Sequence, residues 1–446
     1  MLPPECRRLF FSFFTTMKLP ALFLLLALTA TQAHEQHDHK TEAPEKKVST
    51  DPELDRLKLL ANLKAAGAST WVRLGDALMQ RARDRVSHDF TEAAAAYGKA
   101  LALDPEDIGG LVGMAWVKNS EHDFPAGREW AEKALAANPH QVEAHALIAD
   151  GAIEMGNYEE AYEHCQAALQ TRSDLSTLSR MGHLLWITGR ATQGRAMMQQ
   201  AIDAGGPYPE NAAWCRAELA QMDFQSGAML PAEQLVTKAL EAAPENPRIL
   251  AIAGRIFMAK QDYPKAIGFY EKSASITPNH EALAGLVDLY QFTGEKEKAK
   301  QQFERVLAYH KAHSHDGNVH SHGEGNAQLA RFLADHDREP ELALKEARAA
   351  YETYKNVGTT DTLAWCLLKA GKPEEARTMI RRAMKWKTPD AEILFHAGMI
   401  ELALGHQDAA RRHFHRALSL NPNLHPVRAK QAAEGMATQP APRPAP

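Results

Sequence analysis

A phrase about 34 residues long recurs along most of this chain, and its clearest copy runs from Leu250 to Pro278. Leu250, Ala253, Gly254 and Phe257 fall at i, i+3, i+4 and i+7, the spacing of one buried helical face. Ala266, Tyr270 and Ser273 mark a second helix beginning near Pro264, a residue suited to a first helical position because its missing N–H would be unpaired there anyway. Pro278 stops that helix. Small residues at Gly254 and Ala266 let the two axes approach, while Phe257 and Tyr270 fill the space beside them. The phrase also emerges by subtraction. Phe90, Phe124 and Tyr158 are 34 residues apart, as are Pro105 and Pro139, or Pro244 and Pro278; Pro389 and Pro422 are 33 apart. Gly156, Gly189, Gly227, Gly294, Gly371 and Gly405 fall where the chain must turn between helices.

A fixed period of this length, with large–small–aromatic anchors on one helix and Ala–aromatic–Ala–Pro on the next, resembles the tetratricopeptide repeat family. About ten units cover residues 69 to 422. Other regular copies use Trp71, Leu74 and Gly75 with Tyr97, and Leu394, Ala397 and Gly398 with Phe414. The resemblance implies an all-α solenoid, a right-handed superhelix of helix-turn-helix units, each packed on its neighbours. It also implies a concave face, lined by the first helices, that holds peptides or partner segments.

The remaining stretches set the boundaries. Residues 17–33 read as a secretory signal: Met17-Lys18, an apolar run from Leu19 to Ala30, and a small-residue cleavage site at Thr31-Gln32-Ala33. Translation starting at Met17 is the economical account of the first sixteen residues, although a start at Met1 and an uncleaved anchor are the alternatives. Cleavage would place the chain in the periplasm of a bacterium, as an exported repeat protein. Residues 34–51, with His34, His37 and His39, are expected to be a disordered leader. Repeats 1–7 and an N-terminal cap helix are assigned to 52–309, a His-rich loop to 310–325, and repeats 8–10 with a C-terminal cap to 326–430. Residues 431–446 form a Pro/Ala tail expected to be disordered. The formal net charge of −5 gives no basic footprint for nucleic acid.

Chemistry-bearing motifs are few. No GxSxG, HExxH, GxxxxGK[ST] or GxGxxG occurs, so the expectation is a non-catalytic chain needing no cofactor. Cys165, Cys215 and Cys366 lie far apart on helices and read as small buried side chains. His310, His313, His315, His320 and His322 form the one set with a ligand's chemistry. An alternative function is therefore metal binding by that loop, taking Zn²⁺, Cu²⁺ or Ni²⁺.

Counting from the anchors, the groove-facing positions are Asp76, Trp116, Asp150, His183, Trp186, Phe224, Arg255 and Asp288. Trp116, Trp186 and Phe224 are off the core phase, and exposed aromatics there would anchor a partner. The lysine and asparagine clamp by which some relatives grip a terminal carboxylate has no counterpart at these positions. The leading expectation is an exported scaffold that binds other proteins or peptide segments in its groove.

Overall fold

The structure, a computed structural model, describes residues 51–84, 89–205, 209–313 and 322–437. Every regular element among them is helical. A cap helix, Pro52–Ala61, precedes ten antiparallel pairs. Repeats 1 to 5 are Ala68–Asp84 with Thr91–Leu103, Ile108–Ser120 with Phe124–Ala137, Val142–Met155 with Tyr158–Thr171, Leu175–Ile187 with Ala191–Asp203, and Pro209–Gln225 with Met229–Ala242. Repeats 6 to 10 are Pro247–Ala259 with Tyr263–Ile276, His280–Phe292 with Lys296–His313, His322–Asp335 with Pro340–Thr353, Val357–Lys369 with Pro373–Ala383, and Ala391–Ala403 with Gln407–Leu420. A last helix, Pro426–Ala437, closes the array.

Local chemistry sets the ends of these helices. Side chains of Asp107, Asp123, Asp174, Asn246, Asn279 and Asn356 each accept a backbone N–H in the first turn that would otherwise lack a partner. The six turn glycines all adopt positive φ, from 74° to 81°, as their positions required. Several boundaries moved. The first helix of repeat 1 continues to Asp84. The helices around the His-rich stretch reach His313 and start again at His322, leaving 314–321 between them. The final helix runs to Ala437, past the expected end at 430, because Gly435 lies against the Phe414 ring.

One packing device recurs. The aromatic of a second helix lies between a glycine of its own first helix and a glycine of the next repeat's helix: Tyr97 between Gly75 and Gly113, Tyr270 between Gly254 and Gly285, Phe414 between Gly398 and Gly435. A β-carbon at any of these six glycines would lie 2.2–2.7 Å from the ring. Ala266, fully buried beside Tyr270, belongs to the same crossing. Ala266→Leu is expected to overpack it at a cost of about 1–3 kcal/mol, read as a lower urea midpoint; coincident melts would count against the pairing.

The array also folds back on itself. Tyr354 Oη donates to His122 O at 3.1 Å, Asn356 Nδ2 to Glu154 O at 3.1 Å, and Val357 N to Tyr158 Oη at 2.9 Å. Thr388 Oγ1 donates to Ile187 O, and Asn421 Nδ2 to Phe224 O at 2.7 Å. Tyr158 and Trp386 meet edge to face at 5.0 Å. These partners lie some 200 residues apart. The turn inside repeats 3, 4 and 5 therefore touches the segment entering the sixth unit further on. One revolution of the coil takes about six repeats, and successive revolutions are in contact.

Candidate functional site

The first helices line the inner face of the coil. Along it, opposite charges 30 residues apart tie neighbouring repeats: Arg180 to Asp150 through Nε and Nη2 at 2.8–3.0 Å, Arg248 to Glu218 at 2.7 Å, Arg331 to Asp361 at 2.9 Å. Trp365 Nε1 donates to Asp335 at the same spacing, 2.9 Å. Residues 30 apart sit just under one period apart, so each pair links adjacent rungs.

In repeats 6 to 10 the same face is also bridged across the coil. Arg255 lies 3.5 Å from Glu392, and Asp288 lies 3.5 Å from His425 and 3.8 Å from His336. Arg331 reaches Asp335, Asp361 and Glu392 at 2.9–3.2 Å, and Arg428 holds Asp335 at 2.7 Å and also Glu392. His396 is fully buried, stacked on Trp365 at 4.3 Å, with Nδ1 2.9 Å from Asp361. Burial alone would push the Asp335 carboxyl up, but Arg428 and Arg331 hold it down at about 2. The same opposition leaves Asp361 below the usual range, chiefly through His396 and then Arg331, and Glu392 well below it through Arg428, Arg255 and Arg331. Asp390 goes the other way, to about 6, because burial and the neighbouring Glu392 both oppose its charge. This half of the inner face is occupied by its own ion pairs.

Repeats 1 to 4 differ. Asp76 is exposed and accepts from Tyr97 Oη at 2.8 Å. Trp116 is half-buried with the Arg83 guanidinium 5.1 Å from its ring centre. Asp150 and His183 are half-buried, and burial pushes the His183 imidazole below its ordinary value. Asp76, Trp116 and Asp150 thus each have a partner from their own or an adjacent repeat, in Tyr97, Arg83 and Arg180.

Two expected anchors fail. Phe224 is 1% exposed: it packs on Ala253 and Ile256 of the next repeat, Arg255 lies 5.4 Å from its ring, and Asn421 takes up its carbonyl. Trp186 is 6% exposed, packed among Leu178, Met198 and Cys215. Being off the core phase of one helix did not leave them open, because the adjacent repeat covers both. Arg255 and Asp288 are spent on the cross-coil pairs.

Of the expected metal ligands, only His310 has a described side chain. It is buried, with Nε2 2.9 Å from His280 Nδ1, so it packs inside repeat 7 rather than lying in a loop. His315 and His320, and the side chains of His313 and His322, lie outside the described residues, as do the signal and leader. Among the described residues no group of three or more His, Cys, Asp or Glu is arranged to hold a metal ion. Cys165, Cys215 and Cys366 are buried thiols, and burial pushes each up to about 12. Among the same residues, no helix is long and apolar enough to cross a membrane.

Tetratricopeptide repeat models match residues 232–281, 280–312 and 391–424. A tetratricopeptide repeat and J domain-containing co-chaperone of Cryptococcus neoformans var. grubii is 25% identical over 190 residues, 43% of this chain and 31% of that protein. A cellulose synthase operon protein C of Xanthomonas axonopodis pv. citri is 25% identical over 267 residues, 57% of this chain and 17% of that protein. The matches thus span a third or less of the length of these curated relatives. Among solved structures, yeast Tom70 aligns over 86% of this chain and 92% of its own at 14% identity, with a TM-score of 0.39. A human IFIT1 dimer with m7Gppp-AAAA aligns over 82% and 85% at 17% identity, with a TM-score of 0.48.

Proposed function

We propose, from the premise that this chain is a tetratricopeptide repeat protein, that it is a non-catalytic scaffold whose working surface is the inner face of repeats 1 to 4. The observation that carries this is the contrast between the two halves of that face. In repeats 6 to 10, pairs such as Arg255–Glu392 span the coil. In repeats 1 to 4, Asp76, Trp116 and His183 have side chains wholly or partly open to a partner segment, while Asp150, though half-exposed, is held by Arg180. An extended peptide laid along this face would meet the half-exposed Trp116 indole, the exposed Asp76 carboxylate and the half-buried His183 imidazole. That combination favours an apolar anchor beside basic or hydrogen-bonding groups.

The compartment is the exported one, on the reading of residues 17–33 as a signal. N-terminal sequencing of the protein from the producing cell should find His34 first; a chain beginning at Met1 or Met17 overturns that part. For the surface, partners captured by the parent should be compared with those captured by Trp116→Ala/His183→Ala. Loss of an aromatic anchor is expected to weaken capture about tenfold or more. Equal recovery of every partner would remove the inner face of repeats 1 to 4 from consideration.

A further inference from the structure

The last two repeats carry a second surface, on the side of the array formed by the second helices. The second helix of repeat 9 and that of repeat 10 flank a depression of about 360 Å³ over the first helix of repeat 10. Its floor is apolar, made by Ile380, Met384 and Ala397. Its rim is cationic: Arg381, Lys385 and Arg412 are exposed, and none of the three is in an ion pair among the described residues. Glu401 is the one acid in the lining, and it is already engaged, by Arg377 Nε at 2.9 Å and His406 Nδ1 at 2.7 Å. These two partners outweigh burial and hold its carboxyl below the ordinary value. His413 completes the wall. Burial and then Arg416 push its imidazole down, and its buried Nδ1 has no hydrogen-bond partner among the described residues.

This concentration of charge runs against the sign of the chain as a whole, whose formal net charge is −5. Like charges left unpaired around one depression repel each other, so an anion seated among them gains from every one. The shape narrows the occupant further. The volume accepts one or two side chains rather than a folded domain. An apolar floor under a cationic rim matches a strand of alternating acidic and apolar residues, whose carboxylates reach the arginines while an aliphatic group fills the bottom. A nucleic acid would need a basic stripe several phosphates long, and the overall charge opposes it.

We propose that this depression docks an extended, carboxylate-rich segment of a partner protein, with Arg381 and Arg412 as its principal charge contacts. The site is separate from the inner face of repeats 1 to 4, and it stands or falls independently of the reading given for that face. Occupation would place carboxylates beside His413 and raise its imidazole pKa.

The probe is a fluorescein-labelled peptide alternating glutamate and leucine, titrated with the full chain and followed by anisotropy. A glutamine-for-glutamate peptide and inorganic phosphate serve as comparators. Arg381→Ala/Arg412→Ala removes two exposed charges from the rim, and Lys99→Ala/Lys238→Ala removes two exposed charges elsewhere. The acidic peptide should bind the parent and the lysine variant alike, and the arginine variant about tenfold more weakly, with affinity falling as salt rises. The His413 ring-proton titration should move to higher pH when the peptide is added. Any one of three results overturns the proposal: equal binding by the arginine variant, equal binding of the glutamine peptide, or a His413 shift with phosphate and none with peptide.

Discussion

Gly227→Ala should destabilise the chain by roughly 3 kcal/mol or more, while Gly371→Ala, in the same kind of turn, should cost only about 1–2 kcal/mol. Both glycines have positive φ, 81° and 74°, so both substitutions carry the penalty of a side chain in the left-handed region. Their surroundings differ. A β-carbon at Gly371 meets nothing within 4 Å, whereas at Gly227 it lies 2.0 Å from the carbonyl oxygen of Leu420. That oxygen belongs to the coil's next revolution, where Asn421 bonds the Phe224 carbonyl. The alanine can be housed only if the revolutions separate. Gly156 and Gly189, with β-carbons 2.4 Å from Lys355 O and 2.6 Å from Trp386 O, should rank between the extremes. Urea midpoints give the order, and small-angle scattering should show a larger radius of gyration for the alanine at Gly227 alone of the outer pair. Equal midpoints for the outer pair would mean that the contact between revolutions adds no stability.

How much of this was legible in the sequence follows from range. Helix pairs, turns and the Gly–aromatic crossings depend on residues within one repeat, and the spacing of Leu250, Gly254, Ala266 and Tyr270 displays them. The partner glycines Gly113, Gly285 and Gly435 lie on the next unit and could have been found by asking what covers each aromatic's far side. The rung ion pairs left a trace too, as opposite charges 30 residues apart at Asp150/Arg180, Glu218/Arg248 and Arg331/Asp361. Contact between revolutions left none. It depends on the pitch of the coil, a property accumulated over six units, and its participants Tyr354, Asn356, Thr388 and Asn421 are ordinary loop residues by type. Phe224 lies off the core phase of its own helix yet is covered, because the face it presents is closed by the next repeat, a neighbour that no single helix's periodicity displays.

Arg331→Met is the second large effect, expected to cost about 3–5 kcal/mol at pH 7. The side chain is only 20% exposed and is shared by Asp335, Asp361 and Glu392, so its loss leaves three shielded carboxylates with too few cations. The pH dependence separates this cause from lost packing. Asp335, Asp361 and Glu392 are held below the ordinary carboxylate value in the folded chain. Their stabilisation is therefore fully present above the unfolded pKa near 4, and in the parent it is lost as pH falls through the depressed values, about 2 for Asp335. Without Arg331 those values rise, and protonation relieves the surplus charge at milder acidity. The gap between parent and variant should be widest at neutral pH and shrink progressively towards pH 3, whereas a packing defect would leave it constant. Arg331→Lys should recover part of the loss, since one ammonium keeps the charge but cannot reach three carboxylates as a guanidinium does. A pH-independent gap, or no rescue by lysine, would show that the inner face of repeats 6 to 10 is held by contact area rather than by its ion pairs.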